Sequence, residues 1–198
     1  MEIYDSPFRH AVIDDYIDAD TVTQINAEWP KDGWYKEDGK AQIKWNTQDL
    51  TPTAKAVVDA VDVSLVEEIT GIKGLITDPE LSGGGLHCIP RGGFLKMHCD
   101  FNTHANGWHR RVNMLIYLNQ DWRPRWGGEL RLGRYKKEQV RIVPEAGRCV
   151  IFETNDKSWH GHPKPLMCPK RRQRRSLALY FYTAEPPREK PHTTVYIK

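Results

Sequence analysis

The pattern that most limits the fold is a series of short, β-rich segments that begins near residue 86. From there on, β-branched and aromatic runs alternate with Gly, Pro, Asn and Asp, which is typical of an antiparallel sandwich or barrel. Strands are predicted at residues 86–89, 93–97, 112–118, 129–132, 140–143, 148–152, 176–183 and 193–197. A set of this size suits a double-stranded β-helix, or jelly roll, an architecture that hosts many unrelated activities.

The first 85 residues are predicted to form a mainly helical cover for this core. Asp20 can cap a short helix that runs to about Trp29. A second helix begins at Thr51-Pro52 and ends at Gly71. Its apolar residues recur at helical spacing: Val57, Val58, Val61, Leu65, Val66 and Ile69. We therefore expect a mainly β fold with flanking helices.

One domain is expected for the 198 residues, because neither an internal repeat nor a flexible linker is visible. It divides into the helical cover (1–85), the catalytic core (86–183) and a Pro-rich tail (184–198). The strand predicted at 193–197 could extend the protein's own sheet or a partner's sheet, and the oligomeric state is left open.

Composition excludes several classes of protein. The chain has 29 basic and 26 acidic residues, a net charge of +3, and this weak field does not favour a nucleic-acid binder. The N-terminus MEIYDSPFRH does not resemble a signal peptide, and no stretch approaches the roughly 20 apolar residues of a membrane span. The four cysteines form no CxxC pair. We expect a soluble, cytoplasmic protein.

The residues most indicative of chemistry are an H-x-D, His98-Cys99-Asp100, and a later histidine, His160. Side chains alternate along a strand, so His98 and Asp100 can point to one side while Cys99 points away. His160 follows the strand predicted at 148–152 and can supply a third ligand from elsewhere in the barrel. Two imidazoles and one carboxylate form the facial triad of non-haem iron(II) oxygenases. His162 shares the strand parity of His160 and is the alternative third ligand.

Several neighbouring motifs occur together with the H-x-D. They are Gly-Gly-Phe at 92–94, Y-L-N-x-D-W at 117–122, G-G-x-L at 127–130, the distal His160 and an arginine before the last core strand. In this order they resemble the prolyl-4-hydroxylase-like branch of the iron(II)/2-oxoglutarate oxygenase superfamily, over about residues 86–183. The resemblance implies iron(II), 2-oxoglutarate and O2, with ascorbate as a reductant.

A co-substrate pocket is predicted around the basic segment 170–175. The distal carboxylate of 2-oxoglutarate needs a cation, and the guanidinium fork of arginine suits it best. The candidates are Arg171, Arg172, Arg174 and Arg175. Arg174 is preferred because it shares a strand face with the small Ser176 and Ala178. By resemblance, Arg174 and Ser176 form an R-x-S that contacts the distal carboxylate, Tyr117 adds a phenol, and Leu130 packs on the methylene chain.

The predicted reaction is hydroxylation of an unactivated C–H bond as 2-oxoglutarate is converted to succinate and CO2. Asp100 favours hydroxylation, because the related halogenases lack this carboxylate. The substrate is a prolyl residue or a free small molecule, without a preference. Two alternatives stay open: a non-enzymatic, cupin-like binding module, and a nucleic-acid-directed oxygenase suggested by the basic segment 170–175. Arg110 could meet an anionic substrate, whereas Trp108, Trp122 and Trp126 are expected to pack.

Overall fold

The structure is a computed structural model that describes residues 1–135 and 137–197, so Lys198 at the end of the predicted tail lies outside the described residues. Strands and helices follow in the order β1 (Glu2–Tyr4), β2 (His10–Ile13), α1 (Ala19–Ala27), β3 (Tyr35–Asp38), β4 (Ile43–Thr47), α2 (Pro52–Asp59), α3 (Val63–Thr70), β5 (Leu75–Thr77), β6 (Gly85–Ile89), β7 (Leu95–Cys99), β8 (His109–Tyr117), a 3-10 turn (Pro124–Trp126), β9 (Leu130–Arg134), β10 (Lys137–Ile142), β11 (Cys149–Glu153), β12 (Trp159–His162), β13 (Arg174–Thr183) and β14 (Val195–Tyr196).

These strands form two antiparallel sheets. The larger has the order β1-β2-β11-β8-β13-β6-β4-β3, with β5 paired to β13, and the smaller has the order β10-β9-β12-β7-β14. One face of the larger sheet packs on the helices through Leu86, Met114 and Ile116. Its other face shares a second apolar cluster, which includes Tyr117 and Phe152, with the smaller sheet. The predicted mainly β fold with flanking helices is confirmed.

All eight strands predicted from residue 86 onward are present, with ends that differ by a few residues. The tail strand β14 pairs with β7, so this strand extends a sheet of its own chain. One core strand, β12, was not predicted. Its sequence, Trp-His-Gly-His, has a central glycine and no β-branched residue, so it carries little strand signal.

The N-terminal cover contains three helices, but it also contains five strands that the sequence analysis did not predict. Two of these, β1 and β3, are short and largely exposed, so they lack the alternating apolar pattern of a half-buried strand. The expectation of a mainly helical cover was therefore incomplete, because β1–β4 extend the larger sheet at both edges.

The predicted helices need two corrections. The first helix is capped by Asp18, whose carboxylate accepts from the backbone N–H of Thr21 at 2.6 Å, and not by Asp20, which lies in its first turn. The long second helix is two helices, because the Asp62 side chain accepts from the backbone N–H of Ser64 and starts α3 anew. Gly71 ends α3 in the left-handed conformation, as predicted.

Within the described ranges, no helix combines the length and the apolar character that a membrane-spanning segment requires.

Candidate metal and co-substrate site

The three predicted metal ligands meet on the smaller sheet. His98 lies near the end of β7 and Asp100 just beyond it, while His160 lies on the adjacent β12, directly opposite His98 in the strand register. Nε2 of His98 is 3.5 Å from one carboxylate oxygen of Asp100, and Nε2 of His160 is 3.2 Å from the other. The ligand atoms of all three lie within 4.8 Å of one another, which is close enough to share one metal ion.

Backbone carbonyls orient both imidazoles. Nδ1 of His98 lies 2.9 Å from the carbonyl oxygen of Lys96, and Nδ1 of His160 lies 2.9 Å from that of Ser158. A carbonyl oxygen can only accept, so each Nδ1 donates to it, and Nε2 is the ring atom of each histidine that faces Asp100 and would bind a metal. Burial, together with the neighbouring His160, lowers the pKa of His98. His98 is therefore a neutral imidazole, the form that binds a metal.

Asp100 is held as a carboxylate by two residues of β8. Its Oδ2 accepts a hydrogen bond from Nδ2 of Asn113 at 2.7 Å and lies 3.0 Å from Nη2 of Arg110. Burial alone would raise the pKa of Asp100, but the adjacent Arg110 guanidinium holds it well below its usual value. Arg110 is itself fixed, because its guanidinium stacks on Tyr180 at 3.5 Å and donates to Oδ1 of Asn113.

The triad opens into a cavity of about 240 Å³ between the sheets, which Leu130, Arg174 and Ser176 also line. Arg174 is buried, and its Nε donates to the carbonyl oxygen of Gly128 at 2.7 Å. Its Nη2 lies 3.3 Å from the hydroxyl of the fully buried Tyr117. Within the described residues no carboxylate pairs with Arg174, and burial lowers its pKa. A buried, unpaired guanidinium calls for an anionic ligand.

Alternation along β13 distinguishes the adjacent arginines as the sequence analysis expected. Arg174 points into the cavity, whereas Arg175 points to the helical face, where it donates to Oδ1 of Asn26 at 2.9 Å and stacks on Trp29. The G-G-x-L motif also has a steric reason. Gly128 has φ +78°, in the left-handed region that favours glycine, and a Cβ there would lie 2.7 Å from Leu166 and 3.0 Å from Cδ of Arg174, so a larger residue would crowd the arginine.

A family model described as the 2OG-Fe(II) oxygenase superfamily matches residues 84–182, half of the chain. The chain belongs to this superfamily. Iron(II) and 2-oxoglutarate are accordingly its cofactor and co-substrate, and the residues present fit both. Two imidazoles and a carboxylate face one point, and an arginine without a carboxylate partner in the described structure lines the same cavity. A search of curated proteins found no match.

Solved structures of oxygenases share the fold. A prolyl hydroxylase from Trichoplax adhaerens, in complex with a hypoxia-inducible-factor peptide, is 18% identical, with a TM-score of 0.64, 87% of this chain and 83% of that chain covered. A Pseudomonas putida prolyl-4-hydroxylase is 20% identical, with a TM-score of 0.61 and coverages of 88% and 92%. HygX from Streptomyces hygroscopicus, with nickel and 2-oxoglutarate bound, is 13% identical, with a TM-score of 0.61 and coverages of 88% and 82%. These likenesses support the jelly-roll core.

The structure also places residues in the site that sequence reasoning did not assign. Asn113 gives no signal of its own, because it lies inside an ordinary strand. Glu37 and Lys44 line the cavity from β3 and β4, in the region expected to be helical. His162, the alternative third ligand, lines the cavity beside Arg174 and is not part of the metal cluster, and neither of its nitrogens has a hydrogen-bond partner in the described structure.

Gly161 explains the separate positions of His160 and His162. A Cβ at this position would lie 2.6 Å from the carbonyl oxygen of Lys96, so only glycine lets β12 approach β7 this closely. The register shifts between the two histidines, and His162 pairs with Leu95. Burial, reinforced by the charge of Arg174, holds the pKa of His162 well below its usual value.

The remaining candidates have varied positions. His87 lines the cavity, whereas His104 contacts Asp78 and Ser82 away from it. Arg110 does reach the cavity, but its guanidinium is engaged with Asp100 and Asn113. The expected packing roles of the tryptophans agree with the structure: Trp122 and Trp126 lie edge to face in a small apolar cluster, and Trp108 stacks on His104.

Proposed function

We propose that this protein is a hydroxylase that inserts oxygen into an unactivated C–H bond, with 2-oxoglutarate converted to succinate and CO2. One observation carries this proposal: a facial triad and a buried, unpaired arginine line the same cavity. A metal-binding module without a keto-acid substrate has no need of that arginine. The hydroxylase reading therefore explains both ends of the cavity.

The metal would be held by Nε2 of His98, Nε2 of His160 and the carboxylate of Asp100. Because the chain offers three ligands, a bound ion would keep coordination positions for the keto acid and O2. When bound, iron(II), 2-oxoglutarate and O2 supply the oxidising chemistry. Arg110 and Asn113 keep Asp100 ionised and aimed at the ion, so the anionic ligand set does not depend on protonation near neutral pH.

The co-substrate would lie between the metal and Arg174. The guanidinium offers a fork of donors to the distal carboxylate, and the hydroxyl of Tyr117 lies next to the guanidinium. Burial raises the pKa of Tyr117, although Arg174 opposes this, so the phenol remains a neutral donor. The small Ser176 leaves room for the carboxylate, and Leu130 provides an apolar wall for the methylene carbons.

A prolyl residue or a free small molecule would be the substrate. Relatives of similar fold include prolyl hydroxylases and HygX, which has been crystallised with hygromycin B. The nucleic-acid-directed alternative receives little support from the basic segment, because Arg174 points inward and Arg175 contacts Asn26 and Trp29. We also propose a cytoplasmic location, where reduced iron is available.

The test is formation of the 2-oxoglutarate–iron(II) complex under anaerobic conditions, followed by its visible charge-transfer band. Wild-type protein should give the band, His98→Ala should abolish it, and Arg174→Ala should require much more 2-oxoglutarate to reach it. His109→Ala, a half-buried histidine outside the metal cluster, is the matched control and should behave as wild type. A wild-type protein that binds neither iron nor 2-oxoglutarate would instead be a jelly-roll binding module.

A further inference from the structure

Two oppositely charged side chains line the wall of this cavity outside the metal cluster. Glu37 and Lys44 lie opposite each other on β3 and β4, and both side chains line the cavity. Nζ of Lys44 is 3.8 Å from Oε2 of Glu37, which is beyond hydrogen-bond distance. Oε2 of Glu37 is buried without a hydrogen-bond partner in the described structure. The two charges are close enough to attract but not to satisfy each other.

This pair lines the same cavity as the metal cluster. The strand β4, which carries Lys44, begins beside the start of β7, where the backbone N–H of Ile43 donates to the carbonyl oxygen of Phe94 at 2.8 Å. Tyr196 also lines the cavity and lies opposite His98 in the strand register, with ring centroids 5.5 Å apart. The pair therefore lies on a wall of the cavity that adjoins the strand of the metal ligand His98.

Charge balance indicates what the pair would bind. The two negative charges of 2-oxoglutarate are matched by the metal and by Arg174, so the co-substrate needs no further cation. Glu37 and Lys44 together are neutral, with side chains only 26% and 15% exposed. A poorly hydrated anion and cation held apart are complementary to a ligand that carries the opposite two charges side by side. The α-ammonium and α-carboxylate of a free amino acid have this arrangement.

We propose that Glu37 binds the α-ammonium and Lys44 the α-carboxylate of a free amino acid, whose side chain then extends toward the metal as the group to be hydroxylated. This inference rests on the proposed hydroxylase function and narrows its substrate class. The size of the cavity agrees: about 240 Å³ must hold the co-substrate as well, which leaves room for a small molecule. A residue inside a peptide does not fit, because its amides carry neither charge and would leave the buried pair unmatched.

The experiment measures amino-acid binding to the anaerobic iron(II)–2-oxoglutarate complex. Each proteinogenic L-amino acid is titrated while the charge-transfer band is followed, since a substrate that enters beside the metal perturbs the band. The amino acid that binds best is then compared with its N-acetyl and carboxamide derivatives, in which one charge is removed at a time. We expect each derivative to bind at least tenfold more weakly, as loss of a charge-assisted contact implies.

Two variants assign the charges. Glu37→Gln should weaken binding of the amino acid at least tenfold but leave the affinity for its N-acetyl derivative unchanged. Lys44→Met should do the same for the amino acid and spare the carboxamide. Lys36→Met is the control. Lys36 is an exposed residue of β3, the strand of Glu37, and its ammonium lies over Trp45, outside the cavity lining. All three variants should retain the band with 2-oxoglutarate.

The possible failures can be distinguished. If wild-type protein forms no band with iron(II) and 2-oxoglutarate, the hydroxylase function itself is wrong, and the substrate inference falls with it. If the band forms but no amino acid perturbs it, only the substrate inference is overturned. The same holds if the derivatives bind as tightly as the parent, or if Glu37→Gln and Lys44→Met weaken all ligands equally.

Discussion

Replacing Asn113 with alanine should weaken metal binding although Asn113 is not a ligand. Its Nδ2 donates to Oδ2 of Asp100 at 2.7 Å, and its Oδ1 accepts from Nε and Nη2 of Arg110 at 3.1 and 2.7 Å. A hydrogen bond to a charged group contributes about 1.5–3 kcal/mol. Loss of the bond to Asp100 should therefore raise the metal dissociation constant by about 10- to 100-fold, as outer contacts of metal ligands generally do.

The assay is a competition titration of Co(II) against a colorimetric chelator, with the melting temperature of the apo-protein measured in parallel. Asn119→Ala is the matched control. Asn119 is also a buried asparagine, just beyond β8, and its amide donates to the carbonyl oxygens of Pro144 and Arg175, far from the ligand cluster. Asn119→Ala should lower the melting temperature of the apo-protein but leave the metal dissociation constant unchanged.

Two results would contradict this reasoning. Metal binding by Asn113→Ala within threefold of wild type would show that the hydrogen bond to Asp100 does not support the ligand. An equal loss of affinity in Asn119→Ala would show that the effect follows from general destabilisation rather than from this contact.

Three further predictions concern an arginine and three histidines. Arg174→Met should raise the 2-oxoglutarate dissociation constant of the Ni(II)-loaded protein roughly 150- to 5000-fold, because loss of one partner of a buried charge pair costs about 3–5 kcal/mol. Arg175→Met should leave this dissociation constant unchanged. Both constants can be measured by titration calorimetry. His162→Leu should leave the free energy of unfolding unchanged or raise it, because neither ring nitrogen of His162 has a hydrogen-bond partner in the described structure. His87→Leu should lower the free energy of unfolding, because it removes the 3.1 Å hydrogen bond to the carbonyl oxygen of Gly83. Equal losses of stability for the two variants in urea unfolding would contradict this prediction. Burial lowers the pKa of His192, but hydrogen bonds to Thr193 and Asp156 outweigh it and raise the pKa above its unfolded value. The stabilisation is therefore full below about pH 6.5 and is lost as the pH rises through the folded pKa. Hydrogen exchange of residues 190–197 should accelerate over that range, and Asp156→Asn should reduce this pH dependence, because the hydrogen bond to Thr193 remains.

The core strands and the candidate ligands could be predicted from the sequence because their signals are local. Alternating apolar residues mark β8 and β13, and the spacing of His98 and Asp100 alone puts both on one face of a strand. The same alternation separates Arg174 from Arg175, which the structure places on opposite faces of β13. A property that repeats every two residues is carried by the sequence itself.

Local signals failed where a strand is short, polar or interrupted by glycine. The largely exposed β3 carries one tyrosine and three charged residues, and β12 contains Gly161, so neither has the pattern of a half-buried strand. The same limit hid the break between α2 and α3, because the apolar spacing continues across it while Asp62 starts a new helix. Caps and edge strands depend on one or two hydrogen bonds, which an apolar pattern does not record.

Long-range contacts decided the composition of the site. Asn113 reaches Asp100, and Lys44 lines the metal cavity, only because the order of strands brings β8 and β4 to the same cavity. Asn113 and Lys44 are separated in sequence by 69 positions. The sequence around either residue gives no sign that the other lies close to it in the fold. The sequence by itself determined which residues could bind a metal and an acid. The tertiary structure decided which charged side chains line the same cavity as those residues, because side chains far apart in sequence meet only when the two sheets pack together.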